Sequence, residues 1–285
     1  MSKEITIIGY GFVGKAIAQS MKPEVVVNII DPAYKDSVNY ESLNNTDFVF
    51  LCVPTPMADD GSINDSILLS CLDELVRVGY TGVVVVKSTI TPAVIEKIKV
   101  YNTLNLVYNP EFLRERYALA DSLNPDFMVF GQEIPVGKIY LRSPALFHFY
   151  NDYTLINMPD KIFYVDLEEA SMIKYSINCF LAMKVLFFNG IKDLCDNANL
   201  DYDCVAEAIS SDPRIGPSHT QVPGPDGRKG FGGACFAKDT SALAAYARSV
   251  GIPFELLEET IRVNNKIRSQ YDTLDPREAE QNVKF

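Results

Sequence analysis

At 285 residues, 47% of them apolar and 22% charged, the chain is long enough for about two domains and has the composition of a soluble globular protein. Its 26 basic residues face 37 acidic ones, a net charge of −11 with no basic run, which excludes the footprint that a nucleic-acid backbone requires. Six scattered cysteines (Cys52, Cys71, Cys179, Cys195, Cys204, Cys235) without a CxxC pair, and two distant histidines, His148 and His219, exclude a disulfide framework and a structural zinc site.

The chain opens Met1-Ser-Lys-Glu and enters an apolar strand at Ile5, leaving no room for a signal peptide. Its longest apolar stretch, 179–191, is interrupted by Lys184 and Asn189 and is too short to span a bilayer, so the expected setting is cytoplasmic, with no membrane partner. Strands are predicted over 5–8, 25–30, 48–53, 83–87, 106–108, 127–130 and 161–165, with amphipathic helices over 12–21, 67–78 and 93–100. Near-continuous apolar strands separated by helices predict a Rossmann-type, doubly wound parallel sheet covered on both faces. Beyond Asp166 the strands vanish. Residues 167–198 contain no proline and one glycine, and their apolar spacing predicts one long helix. Further helices are expected over 201–211, 236–250 and 253–271, around a Pro/Gly-rich loop at 212–233, and residues 275–285 are expected to fray. The domains expected are therefore 1–165, α/β, and 166–285, all-helical.

Gly9-Tyr-Gly11-Phe-Val-Gly14 follows the first strand directly and opens a helix. The first glycine permits the tight turn, the second lets backbone approach a pyrophosphate, and the third lets helix and strand pack closely. Asp31 ends the second strand, 17 residues beyond Gly14, where its carboxylate suits both ribose hydroxyls and would repel a 2′-phosphate. The cofactor expected is NAD.

Cys235 lies between a glycine-rich approach, 230–233, and an expected helix start, with Lys238 nearby and Asp239 one helical turn on. A helix N-terminus and a lysine both favour a thiolate, and a nucleophile presented with a carboxylate suits covalent chemistry at a carbonyl carbon. On the long helix Lys174 and Asn178 share a face amid apolar neighbours, where they are suited to hydrogen-bond a developing alkoxide. Glu111 and Glu115 follow a strand, at the end where a doubly wound sheet binds ligands. Read locally, each of these residues also fits an ordinary buried or solvated position.

Together these residues resemble the UDP-glucose/GDP-mannose dehydrogenase family, from Ile5 to about Arg268. The motifs are GYGFVG at 9–14, VPTP at 53–56, KSTI at 87–90, NPEFLRE at 109–115, the Lys174…Asn178 helix, RIG at 214–216 and GFGGACFAKD at 230–239, in the family's order. The UDP-glucose branch is most similar, particularly around Lys174-Tyr-Ser-Ile-Asn178. The resemblance implies oxidation of a nucleotide-sugar primary alcohol to a carboxylate with two NAD and one water. It implies that Cys235 attacks the intermediate aldehyde, that Lys174 and Asn178 steady the oxyanion, that Asp239 and Thr89 hold a water, and that Glu111 serves as acid/base in hydrolysis. NAD contacts are implied for Gly9, Gly11, Phe12, Val13, Gly14 and Asp31, for Val53, Pro54, Thr55, Ser88 and Thr89, and for Glu115 and Lys238. Sugar-nucleotide contacts are implied for Phe112, Leu113, Arg114, Glu115, Lys174, Asn178, Phe231 and Gly232, with Arg214 reaching the substrate of a partner subunit across a homodimer built on the helical domain. No metal is implied.

Three departures accompany the resemblance. Ala237 stands where the family has proline, the loop 222–229 is longer than usual, and the family's C-terminal nucleotide-sugar-binding domain has no counterpart. The expected protein is a short form, with weakened binding or turnover. Two other readings stay open: a weak or inactive NAD-binding homologue that pairs with a full-length enzyme, and a two-electron β-hydroxyacid-type dehydrogenase that needs no cysteine.

Overall fold

The computed structural model of the chain describes residues 3–133 and 144–285, and within these the side chains of Asn44, Asn45, Glu115 and Pro144 fall outside the description. Strands form at short runs dominated by apolar side chains: β1 (Glu4–Ile8), β2 (Val26–Ile30), β3 (Phe48–Leu51), β4 (Val83–Val86), β5 (Asn105–Tyr108), β6 (Met128–Gly131) and β7 (Ile162–Val165). They make one sheet in the order β2-β1-β3-β4-β5-β6-β7. Because side chains alternate across a strand, Ile5, Ile7, Phe48, Phe50, Val83 and Val85 line one core while Ile8, Val49, Leu51, Val84 and Val86 are buried on the opposite face. The first core is closed by Leu146, Phe149 and Tyr150 of α5 (Pro144–Tyr153).

The expected Rossmann-type parallel sheet is present, with one local exception. Strands β1 to β5 are parallel, but β6 meets β5 antiparallel, at the single pair Tyr108–Gly131, and then runs parallel to β7. Between β5 and β6 the chain forms only a 3₁₀ turn at Glu115–Tyr117 and the six-residue α4 (Ala118–Leu123), not the full helix that normally returns a parallel strand. The other connections are α1 (Phe12–Gln19), α2 (Ser66–Arg77) and α3 (Pro92–Ile98). In α2 the buried residues Leu68, Cys71, Leu72 and Leu75 recur at helical spacing, and α3 takes its proline in the first turn, where a missing N–H is harmless.

The chain divides into two compact units, Met1–Thr55 with Asp65–Lys174, and Pro56–Asn64 with Tyr175–Phe285. The long helix α6 (Leu167–Ala198) opens in the first and continues through the second. The second unit also holds α7 (Tyr202–Ser210), α8 (Phe236–Ser249), α9 (Glu255–Arg268) and α10 (Pro276–Glu280). Asp201 starts α7 by accepting from the backbone N–H groups of Asp203 and Cys204.

Two expectations fail in the helical part. Residues 275–285 are ordered: Asp275 and Glu278 form a reciprocal capping box, Pro276 occupies the first turn of α10, and Val283 is buried. Their charged composition, which suggested fraying, is consumed by specific partners. The stretch 179–191 also understated α6, whose 32 residues are long and apolar enough to cross a bilayer by length and composition alone. The buried polar residues within it are paired inside the unit. Lys184 donates to the carbonyls of Ile215 (2.8 Å) and Gly216 (2.9 Å), and Asn189 accepts from Gly230 N (3.0 Å).

Gly131 is the pivot between β5, β6 and β7, and a Cβ there would lie 2.7 Å from the Ala170 Cβ at the start of α6. Gly131→Val should therefore destabilise the protein by about 1–3 kcal/mol, through overpacking where α6 meets the sheet, read as a lowered urea midpoint.

Candidate functional site

In the first unit the chain leaves β1 for β2 on one side and returns as β3 on the other, so a ligand crevice opens beyond the carboxyl ends of β1 and β3. Gly9 lies there with φ +91°, and a Cβ on it would stand 2.7 Å from the Cys52 carbonyl that follows β3. A Cβ on Gly14 would collide with the Gly9 carbonyl, whereas the space beside Gly11 is open. Gly11 caps α1 with no side-chain bond and the first turn carries no acidic residue, so these N–H groups suit a pyrophosphate. Asp31 accepts from Tyr10 N (2.6 Å) and Ala33 N (2.8 Å), which fixes its carboxylate beside the glycine turn with lone pairs left over. These features fit a bound dinucleotide. Phe12 and Val13 are half-buried on α1.

The motifs at 53–56 and 87–90 clasp each other: Ser88 Oγ donates to the Val53 carbonyl (2.7 Å) and Thr55 Oγ1 to the Thr89 carbonyl (2.8 Å). Ser88 and Thr55 thus shape the crevice wall through their side chains. Pro54 is exposed, and Val53 is buried.

Just beyond β5, Glu111 and Lys174 are buried, at 7% and 2% exposure, and paired. Lys174 Nζ donates to Glu111 Oε1 (3.1 Å) and to the Glu111 carbonyl (2.5 Å), and stands 5.3 Å from the Phe112 ring centre. Glu111 Oε2 accepts from Leu113 N (2.6 Å). Arg114 is exposed and forked onto Asp121, and the side chain of Glu115 lies outside the described residues.

In the second unit Cys235 is half-buried and is the N-cap residue of α8. The neighbouring charges are paired: Lys238 Nζ donates to Asp239 Oδ1 (2.5 Å) and Asn178 Nδ2 to Asp239 Oδ2 (2.6 Å), all three buried. Lys238, expected beside the nicotinamide, thus spends its charge on Asp239. Phe231 is buried, with its backbone held by Asn264, and Gly232 is half-buried. The Arg214 side chain, 88% exposed, forks onto Asp212.

Several residues of consequence escaped the sequence reading. Lys87, half-buried at the end of β4, donates to Asn109 Oδ1 (2.9 Å), which also accepts from Tyr150 (2.8 Å). Burial pushes the Lys87 ammonium down to about 8, with nearby Cys52 and Glu111 opposing and Lys174 reinforcing the shift. Burial likewise pushes the Cys52 thiol up to about 12. On α9, Leu257, Thr260, Asn264 and Arg268 are all buried at helical spacing; polar residues on an otherwise inward face were the available signal.

The chain matches the UDP-glucose/GDP-mannose dehydrogenase family twice, with the NAD-binding domain over residues 23–143 and the central domain over residues 168–266. It is 31% identical to the UDP-glucose 6-dehydrogenase AglM of Haloferax volcanii, covering 92% of this chain and 69% of that protein. It is 32% identical to the UDP-glucose 6-dehydrogenase YwqF of Bacillus subtilis, covering 84% of this chain but only 53% of that one. A solved UDP-glucose dehydrogenase from Pyrobaculum islandicum superimposes with a TM-score of 0.73 at 26% identity, over 93% of this chain and 68% of that one. The chain thus spans from about half to about two thirds of the length of these relatives. Its first unit is an NAD-binding domain.

Lys87 carries a pH dependence whose sign follows from its environment. Its folded-state value of about 8 lies below the ordinary 10.5, so between these limits the unfolded chain binds the extra proton and stability rises with pH. Urea unfolding at pH 7.5 and pH 10 should show this rise diminished in Lys87→Met relative to the wild type.

Proposed function

The chain belongs to the UDP-glucose/GDP-mannose dehydrogenase family, and we propose that it oxidises the primary alcohol of a nucleotide sugar, UDP-glucose above all, to the carboxylate. The observation that carries this reading is Cys235 at the N-cap of α8, with the buried Asp239 one turn on and tied to Asn178. NAD, when bound, would supply the hydride acceptor, and two molecules of it would be consumed, one for each oxidation. In the first oxidation the alcohol loses a hydride and a proton to become an aldehyde, with Lys174 and Asn178 stabilising the oxygen as it bears negative charge. The Cys235 sulfur then bonds to the aldehyde carbon, and the oxygen takes a proton to give a thiohemiacetal. Loss of a second hydride and that proton leaves a thioester. Water adds to its carbonyl, the C–S bond breaks, and carboxylate and thiol are regenerated. The sulfur link retains an aldehyde that would otherwise escape.

Glu111 is the acid/base for the water step, and its contact with Lys174 supports that role by holding the carboxylate in one place. Thr89 and Asp239 hold the proton-carrying water. Glu115 and Lys238 border the nicotinamide, and Lys238 acts by fixing Asp239. The protein acts in the cytoplasm as a homodimer, and Arg214, projecting into solvent, reaches the neighbouring subunit's substrate. The exposed apolar residues Phe180 (62%), Phe187 (59%) and Leu194 (65%) recur every seven positions on α6, and such a stripe suits packing against a second copy.

Incubation with NAD and a panel of sugar nucleotides, followed at 340 nm, should yield two NADH per UDP-glucose consumed. Cys235→Ser should stop at or before the first. One NADH per turnover of the intact protein would identify a two-electron dehydrogenase instead, and none a non-catalytic relative. Phe187→Glu should shift the species seen by light scattering from dimer to monomer; a wild-type monomer would remove the dimer and with it the role of Arg214.

A further inference from the structure

The glycine-rich residues 230–233 that lead to Cys235 have no strand or helix to satisfy their backbone. Side chains of three helices do so instead. Asn189 of α6 accepts from Gly230 N (3.0 Å). Asn264 of α9 accepts from Phe231 N (2.7 Å) and donates to the Phe231 carbonyl (3.0 Å). Glu278 of α10 accepts from Gly233 N at Oε1 (3.1 Å). The same Oε1 receives Arg268 Nη2 (2.6 Å), and Oε2 receives Asp275 N (2.8 Å), so the fully buried Glu278 carboxylate is held by a guanidinium and two backbone donors. The other arm of Arg268, Nη1, reaches Asp226 Oδ2 (2.6 Å) in the loop 222–229. The fit is close: a Cβ on Gly232 would collide with both Arg268 Nη2 and Glu278 Oε1, and one on Gly230 would stand 2.7 Å from Asn264 Oδ1.

The far side of α10 is anchored as well. Met57 N donates to the Gln281 carbonyl (2.9 Å), Asn282 Nδ2 donates to the Met57 carbonyl (2.9 Å), and Lys284 pairs with Asp59 (2.5 Å). Glu278 therefore stands on a fixed base while gripping a backbone amide two residues before Cys235. Covalent chemistry tolerates only a few tenths of an ångström of misplacement, and a flexible glycine approach cannot supply that by itself.

We propose that Glu278 and Arg268 are a positioning pair that sets the placement of the Cys235 thiol, with Arg268 coupling that placement to the loop 222–229 through Asp226. The inference rests on the reading of Cys235 as nucleophile and adds to it two residues that touch no substrate. A mere structural brace would change stability alone. A positioning pair changes the reactivity of one thiol in a protein that remains folded.

The test compares wild type, Glu278→Ala, Glu278→Gln and Arg268→Lys. Modification of Cys235 by iodoacetamide is followed by peptide mass spectrometry, beside kcat and KM for NAD. Glu278→Ala should slow Cys235 modification and lower kcat by about tenfold, with KM for NAD within about twofold. Glu278→Gln keeps an oxygen for Gly233 N and should recover most of the loss. Arg268→Lys keeps the buried charge but loses the two-armed fork, and should lie between. The proposal is overturned if Glu278→Ala or Arg268→Lys is folded and reacts at Cys235 as the wild type does. It is overturned equally if Arg268→Lys fails to fold, because the pair then holds the unit rather than the thiol. A wild type that makes no NADH while the modification rates still separate would refute the proposed reaction and leave the positioning role intact.

Discussion

A polar group buried without a partner costs more than most single contacts return, and Ser171, Lys174, Asn178, Lys184 and Asn189, all buried on α6, are each satisfied. Ser171 donates to the Ile90 carbonyl (2.6 Å), Lys174 reaches Glu111, Asn178 reaches Asp239, Lys184 caps Ile215 and Gly216, and Asn189 takes Gly230 N. Taken along the helix, these partners belong in turn to the motifs at 87–90, 109–115, 230–239 and 214–216, and to the glycine approach to Cys235. The motifs are far apart in sequence, yet within the first unit two of them are met by the opening of α6, and within the second unit the others are met by its continuation. The requirement to pair polar atoms in α6 thereby fixes where these motifs lie within each unit, those at 87–90 and 109–115 in the first and those at 214–216 and 230–239 in the second.

Much of the fold was legible because it follows from periodicity. The runs FVFL at β3 and VVVV at β4 are buried on both faces, and nothing but an interior strand suits them. The limits of α6 were equally plain from the absence of proline over 167–198. The glycine turn at 9–14 was legible for a stronger reason, since Gly9 and Gly14 occupy positions where a Cβ would strike backbone.

What escaped the sequence depends on partners that no local pattern names. The segment 275–285 is polar, and polarity alone reads as solvent exposure. Glu278 is buried because Arg268, ten residues away in sequence, and Gly233 N, 45 residues away, both need its carboxylate. The reversal at β6 is likewise a property of the whole connection 109–127. Lys87 stood in view within its motif, but its burial and its neutral partner Asn109 arise only when β4 and β5 lie side by side.

The charges beside Cys235 follow the same logic. A bare carboxylate at Asp239, one turn into α8, would oppose a thiolate at the N-cap. The Lys238 ammonium at 2.5 Å offsets it, and Asn178 takes the second oxygen, so the carboxylate is held without imposing an unbalanced negative charge. In the sequence Lys238 and Asp239 read as neighbours of a thiolate; in the fold their charges are spent on each other, which no local spacing announces.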